Sequence, residues 1–211
     1  MERHAEPVHL HACTAFAKWT RKGRAVFVNY PKILAIFLAA AALFTLPTLA
    51  SAMPVGNPAV PEPAKAVDLE RYLGRWYELA RYENRFEKDC EGVTATYSRR
   101  EGGGVNVVNT CQKNEVGGPT KTAKGRAKVV EGSQNAKLKV TFFWPFFGNY
   151  WVLDRDDAYG WAIVGEPSGK YLWILTREAI PAPEMVDMLK GRATALGYDL
   201  NLLRMTKHAP K

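Results

Sequence analysis

The chain has 211 residues, 47% of them apolar and 24% charged, with a formal net charge of +8. That composition fits one globular domain and excludes collagen-like, coiled-coil and disordered chains. Thirteen prolines and 17 glycines, set among runs of Val, Thr, Tyr, Phe and Trp, point to many short strands and tight turns, an all-β fold.

In chain order, the first feature is an unbroken apolar stretch from Ile33 to Leu46, preceded by Lys32 and followed by Ala50-Ser51-Ala52. A membrane span needs about 20 apolar residues. A charged flank, a shorter apolar core and a small-residue site read instead as a removable signal peptide. Residues 1–52 are therefore expected to be a signal peptide with an unusually long N-terminal extension, cleaved near Ala52 to leave a periplasmic or secreted protein. Cys13 precedes the apolar stretch and no cysteine stands at its end, so the mature protein is not expected to be lipid-anchored.

Without residues 1–52 the 29 Lys/Arg and 21 Asp/Glu fall to 23 and 19, a net charge of +4. Charges of alternating sign without a basic block do not describe a nucleic-acid binder. Only His208 of the four histidines remains, so Ser-His-Asp and Cys-His machinery is missing and a zinc site lacks its usual ligands. The reading is a protein that is not an enzyme and needs no metal or cofactor. Cys90 and Cys111 are expected to pair in an oxidising compartment.

Residues 53–66 carry Pro54, Pro58, Pro61 and Pro63 among small residues and read as an extended linker. The folded domain is expected over 67–208. Eight strands are read near Arg75 to Arg81, Gly92 to Arg100, Val105 to Lys113, Thr120 to Val130, Ala136 to Phe143, Asn149 to Arg155, Gly160 to Glu166 and Tyr171 to Arg177. The connecting turns are too short for crossover helices, so neighbours run antiparallel and close as an eight-stranded up-and-down barrel. Pro183 and a helical spacing from Glu184 to Leu196, stopped by Gly197, give one C-terminal helix packed outside. Asp199 to Met205 ends the domain as a short strand.

Alternation assigns the faces. Leu138, Val140 and Phe142 face inward against Lys137, Lys139 and Thr141, and the same parity turns Val93, Ala95, Tyr97, Tyr171, Trp173 and Leu175 inward. Glu78 also turns inward, where pairing with an arginine is expected. Seven of the ten residues from Phe142 to Trp151 are aromatic. The loop Trp144 to Gly148 should border the barrel mouth as a ligand gate, a shallow membrane contact or a folded-in plug. A hairpin centred on Glu101 to Gly104 sets Cys111 opposite Thr94, so a bond to Cys90 requires a folded-back loop or a bulge.

Three stretches carry a family resemblance. Gly74-Arg75-Trp76-Tyr77-Glu78-Leu79-Ala80-Arg81, Leu153-Asp154-Arg155-Asp156-Asp157-Ala158-Tyr159 and Tyr171-Leu172-Trp173-Ile174-Leu175-Thr176-Arg177 resemble, in order and spacing, the signature regions of the lipocalins. Val93-Thr94-Ala95-Thr96-Tyr97 and the aromatic run after Phe142 are similar to the bacterial, apolipoprotein D-like branch. The match covers roughly Val67 to Met205. The second signature departs from its usual Thr-Asp-x-x-Tyr form and keeps only Asp154 and Tyr159 in character.

The resemblance implies a calyx that binds and transports a small amphiphilic lipid, a fatty acid or lysophospholipid. Its ligand-contacting set would be Ala95, Tyr97, Val140, Phe142, Phe146, Tyr150, Tyr171, Trp173 and Leu175. Gly74, Trp76, Asp154, Tyr159 and Arg177 would be structural signature positions, with the Arg177 guanidinium over the Trp76 ring. A rival reading is a cell-envelope interaction or membrane-docking module with a filled barrel. Monomer and homodimer both remain open.

Overall fold

The computed structural model describes residues 55–210. The expected signal peptide and its cleavage near Ala52 lie outside the described residues. The elements are α1 (Leu69–Tyr72), β1 (Gly74–Tyr82), β2 (Cys90–Arg99), β3 (Val105–Lys113), β4 (Thr120–Val129), β5 (Lys137–Phe143), β6 (Phe146–Arg155), β7 (Trp161–Gly165), β8 (Leu172–Thr176), α2 (Pro183–Ala195), a 3₁₀ turn (Leu200–Leu202) and β9 (Leu203–Met205).

Strands β1 to β8 pair antiparallel with their chain neighbours, and β8 returns to β1 to close the barrel. Strand β1 changes partner along its length. Its first half, Gly74 to Tyr77, pairs with β2. Its second half, Ala80 to Tyr82, pairs with β9. The C-terminal segment thus fills the place where β1 and β2 diverge.

Period-two alternation divides the apolar residues into two cores. Inside the barrel lie Trp76, Tyr97, Val105, Val107, Ala127, Leu138, Val152, Ala162, Val164 and Leu175. Outside, Leu79, Leu153, Trp161, Ile163, Leu172 and Ile174 pack beneath Leu189 and Ala193 of α2 and beneath Tyr198. Strand β7 is accordingly buried at every position. Strand β4, away from the helix, buries only Ala127. Helix α2 begins with Pro183 in its first turn and stops at Gly197, whose φ of +94° suits a residue without a Cβ.

Three features depart from expectation. The four-residue helix α1 is too short to leave a periodic signature; Asp68 caps it by accepting from the Glu70 and Arg71 amides. The Pro-rich segment is extended, yet pinned along the barrel wall. The Gly56 and Asn57 amides donate to the Gly169 carbonyl, and the Asn57 side chain donates to the Leu196 carbonyl. Further along, Lys65 donates to the Arg155 carbonyl and Arg155 donates to the Ala66 carbonyl. Gly169 tolerates this approach because it has no Cβ, which would stand 1.7 Å from the Asn57 carbonyl oxygen.

The third departure concerns the aromatic run. Strand β6 starts at Phe146, so the expected loop from Trp144 to Gly148 reduces to a Trp144-Pro145 tip between paired strands. The register slips between Val140 and Phe143, a bulge that bends this hairpin as it passes the barrel rim.

Candidate ligand-binding site

The closed end is a built floor. Helix α1 crosses it, and the Trp76 indole donates to the Tyr72 carbonyl at 2.8 Å. The Arg177 guanidinium carbon lies 3.7 Å from the Trp76 ring centroid, and the group donates to the carbonyls of Arg71, Leu73 and Arg75. Planar guanidinium suits both tasks, stacking on indole while its edge satisfies carbonyls at a helix end. Burial lowers the Arg177 pKa. Tyr159, at φ +62°, accepts the Asp68 amide at its hydroxyl and is flanked by Arg71 and Arg155 at 4.5 and 4.6 Å. Gly74, at φ +92°, opens β1 beside the Arg177 guanidinium.

Above the floor three phenols meet. The Tyr150 hydroxyl lies 2.8 Å from that of Tyr72 and 2.9 Å from that of Tyr97. Removal from water raises all three pKa values, that of Tyr97 to about 12, so the trio is neutral and hydrogen-bonded. Tyr72, Tyr97 and Tyr150, with Leu69, Leu73, Val105, Ala127, Leu138 and Val140, enclose a cavity of about 10 Å³. That is space for about one water.

Higher in the lumen stands a polar wall. A bulge between Glu78 and Ala80 sets Glu78 and Arg81 on one face of β1, paired with Leu175 and Trp173 of β8. Both are buried and joined at 2.7 Å, the arginine pairing expected for Glu78. Arg81 also donates to the carbonyls of Glu87 and Cys90. Burial, reinforced by the Glu87 carboxylate, pushes the Glu78 carboxyl up to about 8 against the opposing pull of Arg81. The Thr206 hydroxyl bonds the same carboxylate, and the His208 ring meets the Glu78 carbonyl, so the C-terminal segment completes the wall.

At the mouth the β1–β2 loop folds inward. Phe86 stacks on Tyr171 at 5.8 Å and lies 6.3 Å from Trp173. Tyr171 and Trp173 are themselves parallel within 4°. The Trp173 indole donates to Glu87 at 3.0 Å. Phe142 lies over Gly125, where a Cβ would stand 2.7 Å from its ring; the missing side chain makes room for the phenyl group.

Cys90 and Cys111 are bonded, with Cα atoms 5.4 Å apart. Thr94 pairs with Thr110 rather than Cys111, and the register slips between Glu91 and Thr94. The bulge, one of the two routes the spacing allowed, is what lets Cys90 reach.

The sequence-derived lining therefore separates into groups. Tyr97, Val140 and Tyr150 converge on the small cavity. Ala95, Trp173 and Leu175 belong to the same internal cluster, Leu175 fully buried and the other two partly so. Tyr171 and Phe142 stand at the mouth. Phe146 is corrected: it is 78% exposed on the hairpin beyond the rim, because β6 extends further than expected. Asp154 turns outward, accepting from Arg192 of α2 at 2.7 Å and facing Lys65 at 3.3 Å. Its neighbour Asp156 shapes the turn by accepting the Gly160 amide. Phe86, Arg81 and Glu87 were missed. Arg81 follows a bulge that breaks strand parity, and the other two sit in a loop where parity has no meaning.

Among the described residues no three His, Cys, Asp or Glu side chains cluster as metal ligands, and no helix is long and apolar enough to cross a membrane.

A lipocalin-like domain family matches residues 67–208. The outer membrane lipoprotein Blc of Citrobacter freundii is 41% identical over 153 residues, covering 70% of this chain and 86% of its own. Mouse apolipoprotein D is 34% identical over 152 residues, covering 67% and 77%. Among solved structures, insecticyanin of Manduca sexta superposes with a TM-score of 0.54 at 22% identity, covering 75% of this chain and 87% of its own; at that identity the likeness speaks for the fold. The chain belongs to the lipocalin family, in the branch that contains bacterial lipocalins and apolipoprotein D.

Proposed function

We propose that this lipocalin carries a fatty acid or lysophospholipid in the cell envelope, with the acyl chain in the lumen and the polar head at the mouth. The observation that supports the reading is the incomplete burial of inward-facing Ala95, Val140 and Trp173, apolar side chains that the barrel interior leaves partly uncovered. Each methylene removed from water contributes about 0.8 kcal/mol before association costs. The Glu78–Arg81–Glu87 wall supplies charge and hydrogen-bonding groups on the β1 side for a head group. Exposed Phe143, Trp144 and Phe146 suit a shallow contact with the membrane from which an amphiphile is drawn. Relatives that are outer membrane lipoproteins support the envelope location.

A second reading, a membrane-docking module with a filled barrel, is favoured by the cavity of only about 10 Å³ above the floor. Native mass spectrometry of delipidated protein titrated with oleate and lysophosphatidylcholine separates the two. The carrier reading expects a saturable one-to-one adduct. A folded protein that takes up neither amphiphile overturns it in favour of the filled barrel.

A further inference from the structure

The wall formed by β3, β4 and β5 is charged in one sense only. Strands β4 and β5 carry Lys121, Lys124, Arg126, Lys128, Lys137 and Lys139, and no carboxylate occurs anywhere on β3, β4 or β5. Lys124, Arg126 and Lys128 alternate with Gly125 and Ala127, and Ala127 belongs to the interior, so the three cations share the outer face. All three are exposed. Lys128 stands directly opposite Lys139, an arrangement of like charges that costs a sheet stability. Of the six, only Lys137 reaches a carboxylate among the described residues, that of Glu62.

This stripe runs into the aromatic hairpin. The Lys128 ammonium lies 5.1 Å from the Phe147 ring centroid. Beyond it Phe143, Trp144 and Phe146 are 80%, 73% and 78% exposed. Cations that repel one another across adjacent strands, beside aromatic groups that gain nothing from water, are complementary to one surface: a bilayer with negative head groups over an apolar interior.

We infer that the outer face of β4 and β5 binds anionic lipid head groups while the Trp144-Pro145 tip enters the interface, so that the barrel docks selectively on negatively charged membrane. The inference rests on the membrane contact proposed above and adds the charge class of that membrane. A single-stranded polyanion fits less well, because base stacking requires aromatic groups interleaved along the cationic track, and here they are gathered at one end.

The test is binding of protein purified from cells expressing the full chain to vesicles of phosphatidylcholine alone or with phosphatidylglycerol, across a range of salt, with tryptophan emission recorded. Binding is expected to favour the anionic vesicles and to fall as salt rises. The exposed triple variant Lys124→Gln/Arg126→Gln/Lys128→Gln is expected to lose about fivefold per charge, roughly a hundredfold in all. A charge-matched control, Arg75→Gln/Arg100→Gln/Lys190→Gln, should keep the preference. Equal binding to both vesicles, with a blue shift that disappears in Trp144→Ser, overturns the charge selectivity and leaves the hairpin contact standing. Absence of binding to either vesicle overturns the contact itself. Salt-sensitive binding to heparin or single-stranded DNA in place of vesicles overturns the lipid assignment.

Discussion

The two ends of the barrel are made of similar residues put to opposite use. At the closed end Trp76 is wholly buried, covered by Arg177 and bonded to the main chain. At the open end Trp144 is 73% exposed on a hairpin that projects past the rim. The floor leaves space for about one water, whereas the mouth leaves Phe86, Phe142, Phe143, Trp144, Phe146 and Phe147 exposed. Close packing is concentrated at the closed end, and apolar surface is left in water at the open end, where the proposed amphiphile would enter.

Breaking the floor should have the largest effect. Trp76→Ala empties a fully buried site and is expected to cost about 3–5 kcal/mol, read as a lower urea midpoint at unchanged m-value. Arg177→Leu, which keeps bulk but leaves the carbonyls of Arg71, Leu73 and Arg75 unsatisfied, should fall close behind. Replacing Cys90 and Cys111 with Ser opens a link across 21 positions and should cost about 3 kcal/mol by the loop-entropy account. Urea unfolding of oxidised and reduced protein checks it.

At the mouth the expected effects are smaller and shift from stability to exchange. Gly125→Val presses a side chain against the Phe142 ring and the Thr141 carbonyl, each 2.7 Å from the Cβ position, at about 1–3 kcal/mol. It should also alter amphiphile exchange between vesicles, because Phe142 must move. Replacing Phe143 and Phe146 with Ser should change stability by about 0.5 kcal/mol or less while slowing that exchange. Unchanged exchange would remove the hairpin from the carrier reading.

The Glu78 carboxyl supplies a pH-dependent comparison. Its folded pKa, about 8, lies above the ordinary 4.5, so the folded state holds the proton more tightly than the unfolded chain. Its contribution is complete below about pH 4.5 and is lost as pH rises toward 8, at about 1 kcal/mol per pH unit. Glu78→Gln should flatten that slope in pH-dependent urea unfolding. An equal slope in the variant would assign it to other groups.

The barrel was legible because buried strands announce their faces. Leu138, Val140 and Phe142 alternate with Lys137, Lys139 and Thr141, and the connecting turns permit no crossover. The closed-end stacking of Arg177 on Trp76 came with the lipocalin resemblance, and it fits the topology: in an up-and-down barrel the start of β1 and the end of β8 lie at the same end. What escaped has a physical cause in each case. Helix α1 is one turn long, below the reach of any periodicity. The strap of residues 55–66 is held by main-chain bonds, the buried Asn57 side chain and polar contacts of Glu62, Lys65 and Ala66, which leave no apolar pattern. Lys128 and Lys139 are 11 positions apart in sequence, and their opposition exists only once the strands pair. The mouth is the least legible region, since Phe86 and Glu87 reach the lumen from a loop and β6 begins three residues earlier than its alternation suggests.

The carrier claim is tested most directly by tryptophan quenching with a fatty acid brominated at mid-chain. With the acyl chain beside Trp173 in the lumen, quenching should saturate at one equivalent and be largely lost in Trp173→Phe while persisting in Trp144→Phe. Quenching lost in Trp144→Phe and retained in Trp173→Phe would place the lipid on the outer hairpin and contradict an acyl chain inside the barrel.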